Sequence, residues 1–402
     1  MSDYHYNFDK IIDRKNTNAM SLCGYRGYLF EPDEDLTGKY PEEEFIPMWV
    51  ADMEFAIAPE IIDAIKKRLE HPLLGYTMVA DQAYPLAFQK WCKSRYDWEF
   101  ELEHLVYAKG VIPALFSLIG SICKPDEKVL IVTPSYAFFK HGADYNGVEL
   151  VCSDLILEDG NYRMDMEDIA KKAADEKCVL GIFCSPHNPT GKVWSKAELK
   201  ELGEICLGNG LAIITDEIHC DLLRNEKTFY PMAKLFPESD QIITCMAASK
   251  TFNLAGNFFA NIIIPNEDLR NEYKSKNLPI ENPLSIVAAQ AAYTDGTNWL
   301  NELTTYLDAN FEYLSEQISE HLPKAVFRIP DATYLAWLDV SSYFSDDENL
   351  TLFFAKNAGV LLEGGNMFVD NSTGFIRLNL ASPRLKIVEG VDRIIKAISE
   401  IA

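Results

Sequence analysis

The chain reads as an α/β protein with a large, mainly parallel sheet domain followed by a smaller α+β domain. Two observations predict this. Continuous apolar, β-branched runs alternate with amphipathic stretches from Lys128 to Ile264, as strands covered on both faces by helices require. The alternation then stops near Pro283 and a long helical region begins. With 402 residues and 48% hydrophobic content, the chain is long enough for two cores.

In order, Pro59 opens a helix whose apolar face is Ile61, Ile62, Ile65 and Leu69. Val111 to Cys123 is apolar throughout, too short for a bilayer, and reads as a buried helix. Strands are expected at Lys128–Thr133, Val148–Cys152, Val179–Cys184, Leu211–Thr215, Gln241–Met246 and Phe258–Ile264, with helices at Met166–Glu176 and Lys196–Gly208. Beyond Pro283 the pattern predicts a helical region from Leu284 to His321 and strands at Val326–Ile329, Tyr334–Val340 and Gly374–Leu380. It also predicts helices at Leu350–Ala358 and Val388–Ile401. Residues 1–55 are expected to pack on the small domain, with 56–283 as the large domain and 284–402 as the small one.

The formal net charge is −24, from 61 acidic and 37 basic residues, which argues against nucleic acid or an anionic membrane surface as partner. The first residues carry no basic stretch followed by an apolar core, and the nine cysteines form no C-x-x-C pair. A cytoplasmic protein with reduced thiols and no metal site is expected.

Ligands of open α/β sheets bind at the carboxyl ends of the strands. Three successive strand ends present Asn188, Asp216 and Lys250. Alone, each is commonplace: Asn-Pro is a turn signal, Asp caps turns and Lys is commonly a solvated charge. Together, an amide, a carboxylate and an amine suit a pyridine aldehyde. Lys250 would condense with the aldehyde as a Schiff base, Asp216 would keep the ring nitrogen protonated, and Asn188 would donate to the ring's phenolate oxygen. His219 lies three residues after Asp216, within range of the same oxygen.

These residues resemble a known family. Gly75-Tyr76, Lys109 to Ile112, Pro134 to Tyr136, Asn188 to Gly191, Asp216 to His219, Ser249 to Phe252 and Arg377 to Ala381 resemble motifs of fold-type I enzymes dependent on pyridoxal 5′-phosphate (PLP). The implied architecture is the aspartate-aminotransferase-like fold. Arg14 to Thr17, Met48 to Phe55 and Ser249 to Gly256 further resemble the MalY/PatB group of cystathionine β-lyases, or carbon–sulfur lyases.

The resemblance implies that PLP binds here, with Tyr136 stacked on its ring. The phosphate would be held by Ser249 and by backbone N–H groups at Gly110, Val111 and Ile112. It also implies that Arg377 grips the α-carboxylate of an amino-acid substrate. Tyr76 would reach the phosphate from the neighbouring subunit of a homodimer. The expected reaction is α,β-elimination; an aminotransferase, or a PLP-bound regulatory protein with incidental lyase activity, is the alternative. The chain departs from many aminotransferases at Phe258, where they carry a phosphate-binding Arg, and at Ala247, where they carry Ser. Gly364-Gly365 resembles a glycine-containing loop near the substrate.

Overall fold

Seven strands form the central sheet in the order Leu105–Ala108, Ala260–Ile263, Ile242–Met246, Ala212–Asp216, Cys178–Cys184, Lys128–Thr133, Glu149–Asp154. The structure is a computed structural model that describes residues 5–158, 160–224 and 226–401. The last five strands of that order pair in parallel, while Ala260–Ile263 runs antiparallel to both its neighbours. The strand Leu105–Ala108 was not expected. It is four residues long and holds one edge of the sheet.

Alternation along each strand divides the core in two. Val129 and Ile131 face one side with the helix Val111–Ile122; Leu130 and Val132 face the other with Leu199 and Leu202. Burial on both faces makes these strands continuously apolar. Truncating a fully buried side chain such as Ile131 to Ala would cost about 2–5 kcal/mol. Local signals set the helix boundaries. The helix Lys196–Gly208 starts in a reciprocal cap, in which Glu198 N–H donates to Ser195 Oγ at 3.2 Å and Ser195 N–H to Glu198 Oε2 at 2.7 Å.

The expected helical region after Pro283 is two helices, Pro283–Asp295 and Thr297–His321. They break at Gly296, where a Cβ would stand 2.4 Å from the Phe252 ring and 2.5 Å from the Ala292 carbonyl oxygen. A second, antiparallel sheet follows, with Phe375–Asn379 between Leu335–Asp339 and Glu363–Gly364. Phe311, Phe354 and Ile387, from three helices, share its core. The strand expected at Val326–Ile329 is not formed: one isolated bridge joins Val326 to Asp339. The closing helix begins at Arg384, four residues before the expected Val388.

The N-terminal segment touches both layers. Ile46–Pro47 pairs in parallel with Val360–Leu361, and Met48 enters the small-sheet core. Tyr6, Phe8, Met53 and Phe55 instead join Trp91, Phe252 and Trp299 in the core beneath the large sheet. Among the described residues, no helix is long and apolar enough to cross a membrane.

Candidate active site

Asp216 ends its strand, and the neighbouring parallel strands on either side lead to Asn188 and Lys250. All three line one cavity of about 350 Å³, together with His219, Tyr136, Ser249, Gly110, Val111, Ile112 and Arg377. Of the sequence-predicted site residues, Tyr76 alone lies off this cavity, 96% exposed.

Burial pushes the Asp216 carboxyl up to about 6, against the Ile218 N–H that donates to its Oδ1 at 3.1 Å and the charge of Lys250. His219 is buried and its Nδ1 has no partner among the described residues. Burial, with the charges of Lys250 and Arg377, pushes its imidazole down to about 3, so it is neutral at physiological pH. Lys250 follows Ser249 in the short helix Ala248–Thr251, and its Nζ donates to the Ala51 carbonyl oxygen at 2.8 Å. Burial lowers the pKa of this amine; Asp52 opposes the shift.

The strap Met48–Phe55 that carries Ala51 is held from several directions. Asn379 Nδ2 donates to the carbonyls of Val50 and Asp52 at 2.8 and 2.7 Å, and Tyr334 hydroxyl donates to Ala51 at 2.9 Å. Asn253 Nδ2 donates to the carbonyls of Met53 and Phe55 at 3.1 and 2.8 Å.

Gly110 caps the helix Val111–Ile122 at φ +141°, in backbone territory that L side chains rarely adopt. No side chain caps this helix, which leaves the first N–H groups, at Val111 and Ile112, for a ligand. Tyr136 pairs across a two-residue ladder with Phe368 and stacks at 5.2 Å on Phe138. Phe258, at the position where many aminotransferases carry an arginine, lies at the cavity with two-thirds of its surface exposed.

Arg377 is 2% exposed and fully engaged on one side. Its Nη1 donates to Asn188 Oδ1 at 3.0 Å, its Nη2 donates to the Trp49 carbonyl at 3.2 Å, and Phe368 lies 5.1 Å from the guanidinium. It also forms an ion pair with Glu363, its register partner on the adjacent strand. Arg377 Nε has no partner among the described residues.

Sequence reasoning missed Glu363, Tyr28, Trp49 and Lys109 as cavity walls. Glu363 had a faint signal, a lone charge after the apolar run Val360 to Leu362. Gly364 and Gly365 do not line the cavity; a Cβ on Gly365 would stand 1.6 Å from the Ser372 carbonyl oxygen, so packing requires that glycine.

The seven-stranded, mostly parallel sheet with this cavity at its strand ends defines a fold-type I, aminotransferase-like protein. Residues 44–394 match the family Aminotransferase class I and II, and the chain belongs to it. Among curated proteins it is similar to cystathionine beta-lyase PatB of Bacillus subtilis, 35% identical over 98% of this chain and 100% of that one. Among solved structures it is similar to the PLP-bound C-S lyase from Staphylococcus hominis. The two are 47% identical with a TM-score of 0.94 over 98% of this chain and 99% of that one. Cystalysin from Treponema denticola, which contains PLP, is 31% identical with a TM-score of 0.91 over 99% of this chain and 100% of that one.

Proposed function

We propose that the chain binds PLP and catalyses α,β-elimination of L-cystathionine or a related cysteine S-conjugate, giving a thiol, pyruvate and ammonia. The observation that carries this reading is the convergence of Asn188, Asp216 and Lys250 on one cavity that also contains Arg377. The near full-length likeness to PatB and to the Staphylococcus hominis lyase favours elimination over amino transfer.

The donor set fits the cofactor. Asp216 is a buried carboxylate able to hold the ring-nitrogen proton, and Lys250 is the amine for the aldehyde. His219 Nδ1 is buried without a partner among the described residues, and Asn188 has its amide nitrogen left after Oδ1 accepts from Arg377. The uncapped N–H groups of Val111 and Ile112, with Ser249 beside them, suit the phosphate. Tyr136 offers a flat face for the ring.

Bound there, PLP supplies an electron sink for the pair left when Cα loses its proton. The chain does the rest. Arg377, which lines the cavity, receives the substrate's α-carboxylate in a charge-assisted contact. Lys250 Nζ, once a free amine, takes the Cα proton; burial lowers its pKa and so favours the neutral form that can accept one. The same atom then holds that proton for the departing sulfur. The enamine left behind hydrolyses to pyruvate and ammonia.

A homodimer belongs to this reading, with Tyr76 reaching the partner's phosphate site. Tyr76 is nearly fully exposed, and exposed Leu73, Leu74 and Met78 share its segment. Thr77 bridges this segment to Glu281, beside the exposed Leu278 and Ile280.

Product analysis with L-cystathionine, with and without 2-oxoglutarate, tests the activity. Pyruvate and thiol should form steadily without a keto acid. Turnover that needs 2-oxoglutarate and yields glutamate would replace the lyase with an aminotransferase.

A further inference from the structure

The charged groups lining the cavity, among the described residues, are Lys109, Asp216, Lys250, Glu363 and Arg377. The proposed function commits most of them, and the role of the remaining two rests on that reading. Asp216 faces the ring nitrogen, Lys250 the aldehyde, and Lys109 stands next in sequence to Gly110 at the phosphate end. Arg377 and Glu363 remain for the substrate.

These two are not independent. They are register partners on adjacent antiparallel strands, 2% and 3% exposed, and they form an ion pair. Burial pushes the Glu363 carboxyl up, and Arg377, with the Tyr28 hydroxyl, draws it back toward the ionised form. A substrate α-carboxylate arriving at Arg377 therefore meets a guanidinium already paired with the Glu363 carboxyl. With Glu363 ionised in its pair with Arg377, these two and one substrate carboxylate sum to a single negative charge. A second substrate carboxylate would raise this to two, and the other cations of the wall among the described residues, Lys109 and Lys250, are committed by that reading to the cofactor.

We propose that Glu363 is a specificity-determining residue, whose fixed carboxylate beside Arg377 rejects amino acids with an acidic side chain. Neutral side chains are accepted, and so is a zwitterionic tail such as the distal end of cystathionine, whose ammonium offsets its carboxylate. The selection works by repulsion rather than by an added attraction. It also disfavours dicarboxylic amino donors, and so narrows the site toward elimination.

The test is a binding comparison on the cofactor-loaded enzyme, read from the shift in cofactor absorption. L-aspartate is titrated against L-asparagine, and L-glutamate against L-glutamine; none carries a sulfur leaving group at Cβ. In wild type each acid should bind about tenfold or more weakly than its amide. Glu363→Gln should bring each pair to within about twofold. General loosening of the site would weaken acid and amide together and leave the ratio unchanged. A wild-type ratio near one overturns the proposal, as it would if a partner subunit supplied a cation. An unchanged ratio in Glu363→Gln overturns it too. If that variant does not fold, Glu363→Met carries the same comparison, and the wild-type ratio decides alone if neither folds. Turnover of L-cystathionine with equal binding of acids and amides removes only the selectivity. If no amino acid shifts the cofactor band, the lyase reading falls and the selectivity falls with it.

Discussion

Arg377 Nη1 donates to Asn188 Oδ1 at 3.0 Å, and so ties a strand of the small sheet to the loop after a strand of the large one. The side chain proposed to bind substrate and one proposed to bind cofactor are thus joined through the Asn188 amide. Removing Arg377 has two effects. Binding of every amino acid should weaken by about 1.5–3 kcal/mol, because a charge-assisted contact to the common carboxylate is lost.

The same substitution leaves Glu363 buried without its cation, a loss on the order of 3–5 kcal/mol in stability. Its carboxyl pKa, already raised by burial, rises further without Arg377. A folded-state pKa above the unfolded one gives stability at low pH that is lost as pH rises. The melting-temperature deficit of Arg377→Met should therefore be larger at pH 8 than at pH 5. Adding Glu363→Gln should remove that difference. A deficit independent of pH would mean that Glu363 is not the stranded group.

Asp216 carries the second prediction. In the cavity its carboxyl is pushed up to about 6 by burial, so below that pH it holds its own proton. A protonated carboxyl cannot pair with a protonated ring nitrogen. PLP affinity of the apoprotein, measured by equilibrium titration, should fall about tenfold per pH unit below 6 through this group. The cofactor's phosphate titrates in the same region, so the comparison is with Asp216→Asn, which should lose the Asp216 part of the slope. That variant should still hold cofactor yet exchange the Cα proton several powers of ten more slowly, each tenfold being about 1.4 kcal/mol of barrier. Identical pH slopes in the two proteins would rule out Asp216 as the titrating group.

The strand ends that carry Asn188, Asp216 and Lys250 were legible because a strand buried on both faces is apolar without interruption. The first polar residues after such runs mark the crevice. Leu105–Ala108 was not legible, since four residues ahead of a long apolar helix carry too little periodicity to separate the two. Strand direction was equally hidden, and the antiparallel strand Ala260–Ile263 reads like the parallel strands of the same sheet. The wall residue Glu363 depends on register: 14 positions separate it in sequence from Arg377, and only the pairing of two antiparallel strands places them opposite each other. The Gly296 break comes from tertiary packing against Phe252, which no local pattern records.

Glu217 gives a prediction about the scaffold. It follows Asp216, does not line the cavity, and is fully buried, with Oε1 accepting from the Met232 N–H at 3.0 Å. Burial pushes its carboxyl from 4.5 up to about 8, so it folds protonated at neutral pH. The unfolded chain ionises it above its ordinary pKa, and stability is lost progressively between about pH 4.5 and 8. Glu217→Gln keeps the shape and has no proton to lose. Its stability relative to wild type should climb across that window by roughly 2–4 kcal/mol and level off above it. Thermal or denaturant melts at pH 5, 6.5, 8 and 9 follow the difference directly. Parallel curves for the two proteins would show that Glu217 is ionised in the fold.

The last prediction concerns the shared site. Tyr76 is 96% exposed and lies off its own chain's cavity, in a segment where Leu73, Leu74 and Met78 are exposed as well. If a second copy covers this face, Tyr76 completes the partner's phosphate site, and each site draws Lys250 and Tyr76 from different chains. Tyr76→Ala and Lys250→Ala should then each be inactive, or nearly so, as homodimers. Mixed with subunit exchange, they form heterodimers in which one site has both residues and the other has neither. Random mixing makes half of the dimers mixed, so activity should recover to on the order of a quarter of wild type. A cis arrangement leaves every site defective, since each chain lacks one of the two residues, and no recovery follows. Exchange is verified independently by mass measurement of differently tagged chains. Recovery without mixed dimers, or mixed dimers without recovery, would exclude Tyr76 from the partner's site.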